Sequence, residues 1–190
     1  MAPETVLFTL SDRKESQAIC QAAEMSLGNF YQYFPSKEAA LIYSYKTKDD
    51  QWLQEHFEAI ADPLDRVKAI LTTHLRSMVE NSLCFDTQLY IAQLKEYDGY
   101  FFTADRYLHR ITRESIEAGQ AQGEFSAAHT PAEITRRLLN FSRGLVYNYC
   151  IEHREEHAVW LAYALECQSE YLGLFLTPAC RDRAALVPEN

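Results

Sequence analysis

The stretch that most constrains this chain is Ser16–Leu41, SQAICQAAEMSLGNFYQYFPSKEAAL. Two short helical patterns meet there at a tight turn, and a Pro-Ser step launches a much longer helix. Ser16 is expected to cap a helix over Gln17–Ala23, with Ala18, Ile19 and Ala22 facing inward. Glu24-Met25 makes the turn. Ser26 caps a second helix through Tyr33, with Leu27, Phe30 and Phe34 on its buried side and Asn29, Gln32 and Tyr33 outward.

Downstream the period stays helical. Lys37 to Ile60 carries an apolar stripe of Leu41, Tyr45, Trp52, Leu53, Phe57 and Ile60. At about 24 residues this helix would be roughly 36 Å long. Asp62-Pro63 stops it and opens the next, whose stripe is Leu64, Val67, Leu71, His74 and Met78. A shorter helix over Leu83–Leu94 follows, then one over Tyr100–Gln120 after the break at Asp98-Gly99. Thr130-Pro131 is a strong cap and first-turn pair, launching a helix to about His153. A last helix covers Glu156–Leu176, and the tail from Ala179 is expected to fray.

The last two helices are apolar on nearly every face. Leu138, Leu139, Phe141, Leu145, Val146, Tyr147 and Tyr149 crowd the first, and Trp160, Leu161, Tyr163, Leu165, Tyr171, Leu172, Leu174 and Phe175 the second. A helix wet on one side does not look like this. Each is expected to bury one face in its own core and the other against a second copy, as a two-fold four-helix bundle.

Composition excludes several classes. No apolar run approaches the roughly 20 residues of a membrane span, and the start lacks the basic residues of a signal peptide, so a cytoplasmic protein is expected. The five cysteines are scattered without a C-x-x-C, which argues against a disulfide framework or a zinc site. A net charge of −9 is wrong for nonspecific coating of nucleic acid. Residues 1–48 are balanced, with five basic and five acidic side chains, so the remainder carries the whole deficit. No Gly-rich phosphate loop or nucleophile elbow is present, and neither an enzyme nor a cofactor is expected. His153-Arg-Glu-Glu-His157 has the letters of a metallopeptidase motif, but it falls at a helix junction among charged residues and reads as a solvated corner.

Ser26–Leu41, SLGNFYQYFPSKEAAL, resembles the recognition helix and following signature of the tetracycline-repressor family of bacterial transcriptional regulators. The pattern of a small residue, aromatic-Tyr, x-aromatic-Phe and Ser-Lys-Glu-x-Leu is matched closely over about 26 residues, and the helical order fits beyond them. The resemblance implies an all-α fold, with an N-terminal helix-turn-helix joined by a long helix to a helical ligand-binding and dimerisation domain. The head would span residues 1–45, the body 46–178 and the tail 179–190. By resemblance, Ser16, Ser26, Tyr31 and Lys37 would position the DNA backbone, and Leu27, Gly28, Asn29, Gln32 and Tyr33 would face bases or the groove wall. Phe30 and Phe34 would be structural. One helix fits a major groove about 12 Å wide, Gly28 permits close approach, and free N–H groups beside Lys37 suit a phosphate. The chain departs from the family in its first helix, for which only about 15 residues precede Ser16.

The resemblance further implies a ligand-responsive regulator, a repressor released from its operator by a small organic molecule. The alternative is a ligand-binding and dimerisation protein with a degenerate head that does not grip DNA alone. His74, Tyr90, Gln93, Tyr100, Tyr107, Phe141 and Tyr149 lie on or beside inward stripes and would line the pocket, each offering a polar tip or an aromatic body. No cationic pocket is evident, which favours a neutral or aromatic ligand. Expected partners are therefore a double-stranded operator, that ligand and a second copy of the chain, with no membrane.

Overall fold

The computed structural model describes residues 12–80, 83–97, 99–104, 106–152 and 156–187. Eight α-helices follow one another there: α1 (Asp12–Ala22), α2 (Leu27–Tyr33), α3 (Lys37–Phe57), α4 (Pro63–Glu80), α5 (Leu83–Glu96), α6 (Tyr107–Ala121), α7 (Pro131–Glu152) and α8 (His157–Gly173). Short 3-10 turns occupy Tyr100–Phe102 and Pro178–Arg183. The expected short helix before Ser11, with Val6, Leu7, Phe8 and Leu10, lies outside the described residues.

The helix ends are chemically legible. Ser26 accepts the amide of Asn29 at 3.1 Å, Ser36 accepts that of Ala39 at 2.9 Å, and Asp62 accepts that of Asp65 at 2.9 Å. Thr130 and Glu133 form a reciprocal capping box: the Thr130 amide donates to Glu133 Oε2 at 2.9 Å and the Glu133 amide donates to Thr130 Oγ1 at 3.3 Å.

Three expectations are corrected. Ser16 caps nothing: α1 begins four residues earlier, at Asp12, and Ser16 lies inside it. The helix expected over Tyr100–Gln120 is two pieces, because the chain turns through Thr103 in extended conformation before α6 starts at Tyr107. The tail does not fray directly after Ala179. Just beyond its 3-10 turn Ala184 and Leu186 are buried, and the Leu186 amide donates to Ser169 Oγ at 2.8 Å. Arg183 anchors this strap, with Nη1 2.6 Å from Glu124 and Nη2 2.7 Å from Asp62. These are charge pairs of ideal distance around the buried Glu124, which also accepts the Leu64 amide at 3.2 Å.

At the centre lies α4, packed against α3, α5, α6, α7 and α8. Its Leu64, Val67, Ile70, Leu71 and Leu75 are wholly buried. They join Leu108, Ile111 and Ile116 of α6, Ile134, Leu138 and Val146 of α7, and Leu165 and Leu172 of α8 in one core. Each such side chain contributes about 1.5–3 kcal/mol through burial. Gly119 is required by close approach, since a Cβ there would lie 2.6 Å from the Phe125 ring. A second, smaller cluster of Leu41, Ile42, Leu89, Ala92 and Phe101 ties α3 to α5 and to the 3-10 turn. The long helix is thereby seated on the body along its first half.

Candidate nucleic-acid interface and ligand-facing interior

The head is small. Phe30 alone of α2 is buried, held edge-on by Tyr31 at 5.3 Å between ring centroids and tilted against Phe34 at 5.6 Å. Fixing that one ring turns the rest of α2 outward: Gly28, Asn29, Tyr31, Gln32 and Tyr33 are exposed, whereas Leu27 is half-buried. Nothing would crowd a Cβ at Gly28, so the surface there is open. Tyr31 donates to Ser16 Oγ at 3.2 Å, tying α2 to α1. Ser16 itself is buried and serves this seam between the helices. Lys37 is half-buried in the first turn of α3.

The head is latched to the body at that point. Ser36 donates to Glu96 at 2.6 Å, and Lys95 lies 2.7 Å from Glu38, so the end of α5 grips the start of α3. Further along α3, Tyr45 meets Phe101 at 5.0 Å and accepts from the guanidinium of the buried Arg106 at 3.3 Å. That guanidinium also lies 5.5 Å over Tyr100 and 5.0 Å over Phe101, a cation seated among aromatic faces.

From Arg106 a polar network runs into the body. Arg143 of α7 lies 4.7 Å over the Phe102 ring and donates to the Phe101 carbonyl. Its Nη2 is 2.8 Å from Nε2 of the buried His109, which is itself 3.0 Å from the same carbonyl. Tyr90 of α5 donates to the Arg143 carbonyl at 3.1 Å. One residue earlier on α7, Ser142 Oγ lies 2.8 Å from Nδ1 of His74. Burial, together with the nearby charges of Arg143, Arg106 and His109, pushes the His74 imidazole down to about 3, so it is neutral at pH 7. Burial likewise raises the Tyr90 phenol, so it stays a neutral donor.

The seven side chains chosen from the sequence are therefore not one constellation. His74 and Tyr90 converge on the Ser142-Arg143 step. Tyr100 belongs to the junction cluster with Arg106 and Lys46. Phe141 stacks on Tyr171 at 4.3 Å between centroids. Gln93 donates to the Leu89 carbonyl of its own helix at 3.2 Å. Tyr107 and Tyr149 are core: the Tyr107 hydroxyl is buried with no partner among the described residues, and Tyr149 packs 4.3 Å from Trp160 and hydrogen-bonds His157. His153, Arg154 and Glu155 of the His153–His157 motif lie outside the described residues, and Glu156 is exposed just before α8. Folding brings the arginines Arg106 and Arg143, with His109, together around Phe101. Reading the sequence missed Ser142, Arg143, His109 and Arg106. It also missed Gln168, fully buried on α8 with both amide atoms unpartnered among the described residues. The available signal was an Arg inside the otherwise apolar run of α7.

No family model matches the chain, and no curated protein sequence matches it. Solved structures do. A protein studied for the molecular basis of control of antibiotic production by bacterial hormones aligns with TM-score 0.62 and 15% identity, over 85% of this chain and 86% of that one. The regulatory protein TetR from Rhodobacter sphaeroides aligns with TM-score 0.55 and 21% identity, over 82% and 86%. The reduced form of NemR from E. coli aligns with TM-score 0.52 and 18% identity, over 93% and 94%. Among the described residues no helix is long and apolar enough to cross a membrane. The chain thus has the all-α fold of TetR-like regulatory proteins.

Proposed function

We propose that this protein is a homodimeric, ligand-responsive transcriptional regulator, a repressor whose head over residues 1–45 leaves its operator when a small organic molecule enters the body. The observation that carries this reading is the continuity from α2 to the interior. An outward face of Asn29, Tyr31, Gln32 and Tyr33 sits at the start of α3, and α3 reaches through Tyr45 to Arg106, Arg143 and the His74–Ser142 pair. Two heads reading successive major grooves must stand about 34–36 Å apart. A small tilt of α3, 21 residues and about 31 Å long, spoils that spacing. The similarity to the regulatory protein TetR agrees with this reading.

The dimer reading is supported by an uncovered apolar strip. Tyr147 and Ile151 of α7, and Val159 and Tyr163 of α8, are spaced four residues apart on their helices and are all exposed. Because Tyr149 meets Trp160, the two pairs lie toward the same end of the α7–α8 hairpin, where a second copy would cover them.

The test is a mobility shift with the chain's own upstream DNA across a salt series. Sequence-specific binding with Kd of about 10⁻⁸–10⁻¹¹ M is expected. Tyr31→Phe and Lys37→Ala should weaken all sequences alike, and Gln32→Ala should change base preference. Retardation no tighter than that of unrelated DNA would leave a ligand-binding dimer with a degenerate head.

A further inference from the structure

His74 combines three features that together say what it recognises. It is half-buried on the helix at the centre of the body. Its Nδ1 is engaged by Ser142 at 2.8 Å, while its Nε2 has no hydrogen-bond partner among the described residues. Ser142 is wholly buried, and His74 is the one hydrogen-bond partner of its hydroxyl among the described residues.

The hydroxyl's single proton decides the tautomer. A buried O–H with no other acceptor must donate to the group it touches, because leaving the donor unmade costs about 1–3 kcal/mol. Ser142 therefore donates to Nδ1, and a neutral imidazole accepting at Nδ1 carries its proton on Nε2. His74 consequently presents an N–H donor at Nε2 that no described residue engages.

We propose that the ligand bears a hydrogen-bond-acceptor oxygen, a carbonyl or a carboxylate on an apolar body, and that the Nε2–H of His74 recognises it while Ser142 fixes the tautomer. This rests on the interior being the ligand site and goes further in stating what chemistry the site selects. A protonated amine would set a donor against a donor.

The test uses the full chain and no DNA. Nitrogen NMR of the wild-type protein at pH 7, with the His74 signal assigned by its loss in His74→Asn, reads the tautomer directly. Benzylacetone, hydrocinnamate and phenylpropylamine share one apolar body and end in a ketone, a carboxylate and an ammonium, so they separate the neutral from the anionic acceptor and both from a donor. The expected result is the Nε2–H form, a shift of that resonance with one or both acceptor probes, and binding of the amine at least roughly tenfold weaker. Ser142→Ala, a small change on a helix, should give a mixed tautomer and reduce the discrimination. An Nδ1–H form overturns the proposal. So does equal or tighter binding of the amine, or failure of both acceptor probes to perturb His74 at millimolar concentration. A protein that retards its DNA specifically but fails these measurements remains a regulator with a different ligand chemistry. One that passes them without retarding DNA keeps this inference and loses the regulatory reading.

Discussion

The head and the body of this molecule are held together by different amounts of the same force. In α2 a single ring, Phe30, is buried, whereas α4 alone buries five aliphatic side chains completely. The body is a core that folds around its central helix. Among the described residues, the head is held by the buried Phe30 and Cys20, the Phe34–Tyr43 contact, the Tyr31–Ser16 hydrogen bond and the latch from Glu96 and Lys95 to the start of α3. A seven-residue helix is marginal by itself. The contrast suits a reader of DNA, because side chains left out of a core remain available to a partner. It also separates loss of stability from loss of binding.

That separation can be broken experimentally, and the largest effects come from the two cores. Leu71→Ala should cost about 2–5 kcal/mol in global unfolding by denaturant, since Leu71 is wholly buried in the main core. Phe30→Ala removes a comparable amount of apolar contact but from the head. It should abolish specific DNA retardation and accelerate hydrogen exchange in α1 and α2, with the main unfolding transition nearly unmoved. A global loss as large as that of Leu71→Ala would show that head and body fold as one unit.

The next effect concerns pH and is confined to the body. His74 has its folded-state value pushed down from the ordinary 6.5 to about 3. The unfolded chain therefore takes up this proton first as pH falls. Stability is fully present above 6.5 and is lost between 6.5 and about 3. This single group contributes a slope of at most about 1.4 kcal/mol per pH unit. In His74→Gln that part of the slope should vanish in denaturation curves taken across the window. An unchanged slope would mean that the imidazole is solvated in the native state.

The smallest effects are those of the caps, and they sharpen the comparison because the chemistry is matched. Ser26→Ala and Thr130→Ala each remove one hydroxyl that accepts a first-turn amide, a loss of about 1 kcal/mol. Thr130→Ala should appear as a lower Tm. Ser26→Ala should appear as weaker DNA binding with the Tm unchanged, because the helix it starts contributes little to the core. Equal Tm losses would again join the two regions.

Much of this was legible in the chain. The hydroxyls of Ser26, Ser36 and Thr130 and the Asp62-Pro63 step marked helix starts through local chemistry alone. The alternation of Phe30 with Asn29 and Gln32 marked which face of α2 turns outward. Ser16 was misread because its hydroxyl looks the same as a cap's. Only packing against Tyr31 shows that it is a seam residue within a longer helix. The strap after Ala179 was missed for a similar reason: Arg183 finds Asp62 across 121 positions of sequence, and no local period records such a pairing.

The sequence by itself determined the helical class, the positions of most helix ends, and the outward set on α2, because propensity, capping and amphipathic period act over a few residues. Tertiary structure alone decided which polar side chains meet inside. His74 and Ser142 stand 68 positions apart, and Arg143 reaches His109 across 34. Their charges and tautomers depend on burial and on neighbours from other helices, and these exist only once α4, α6 and α7 have packed.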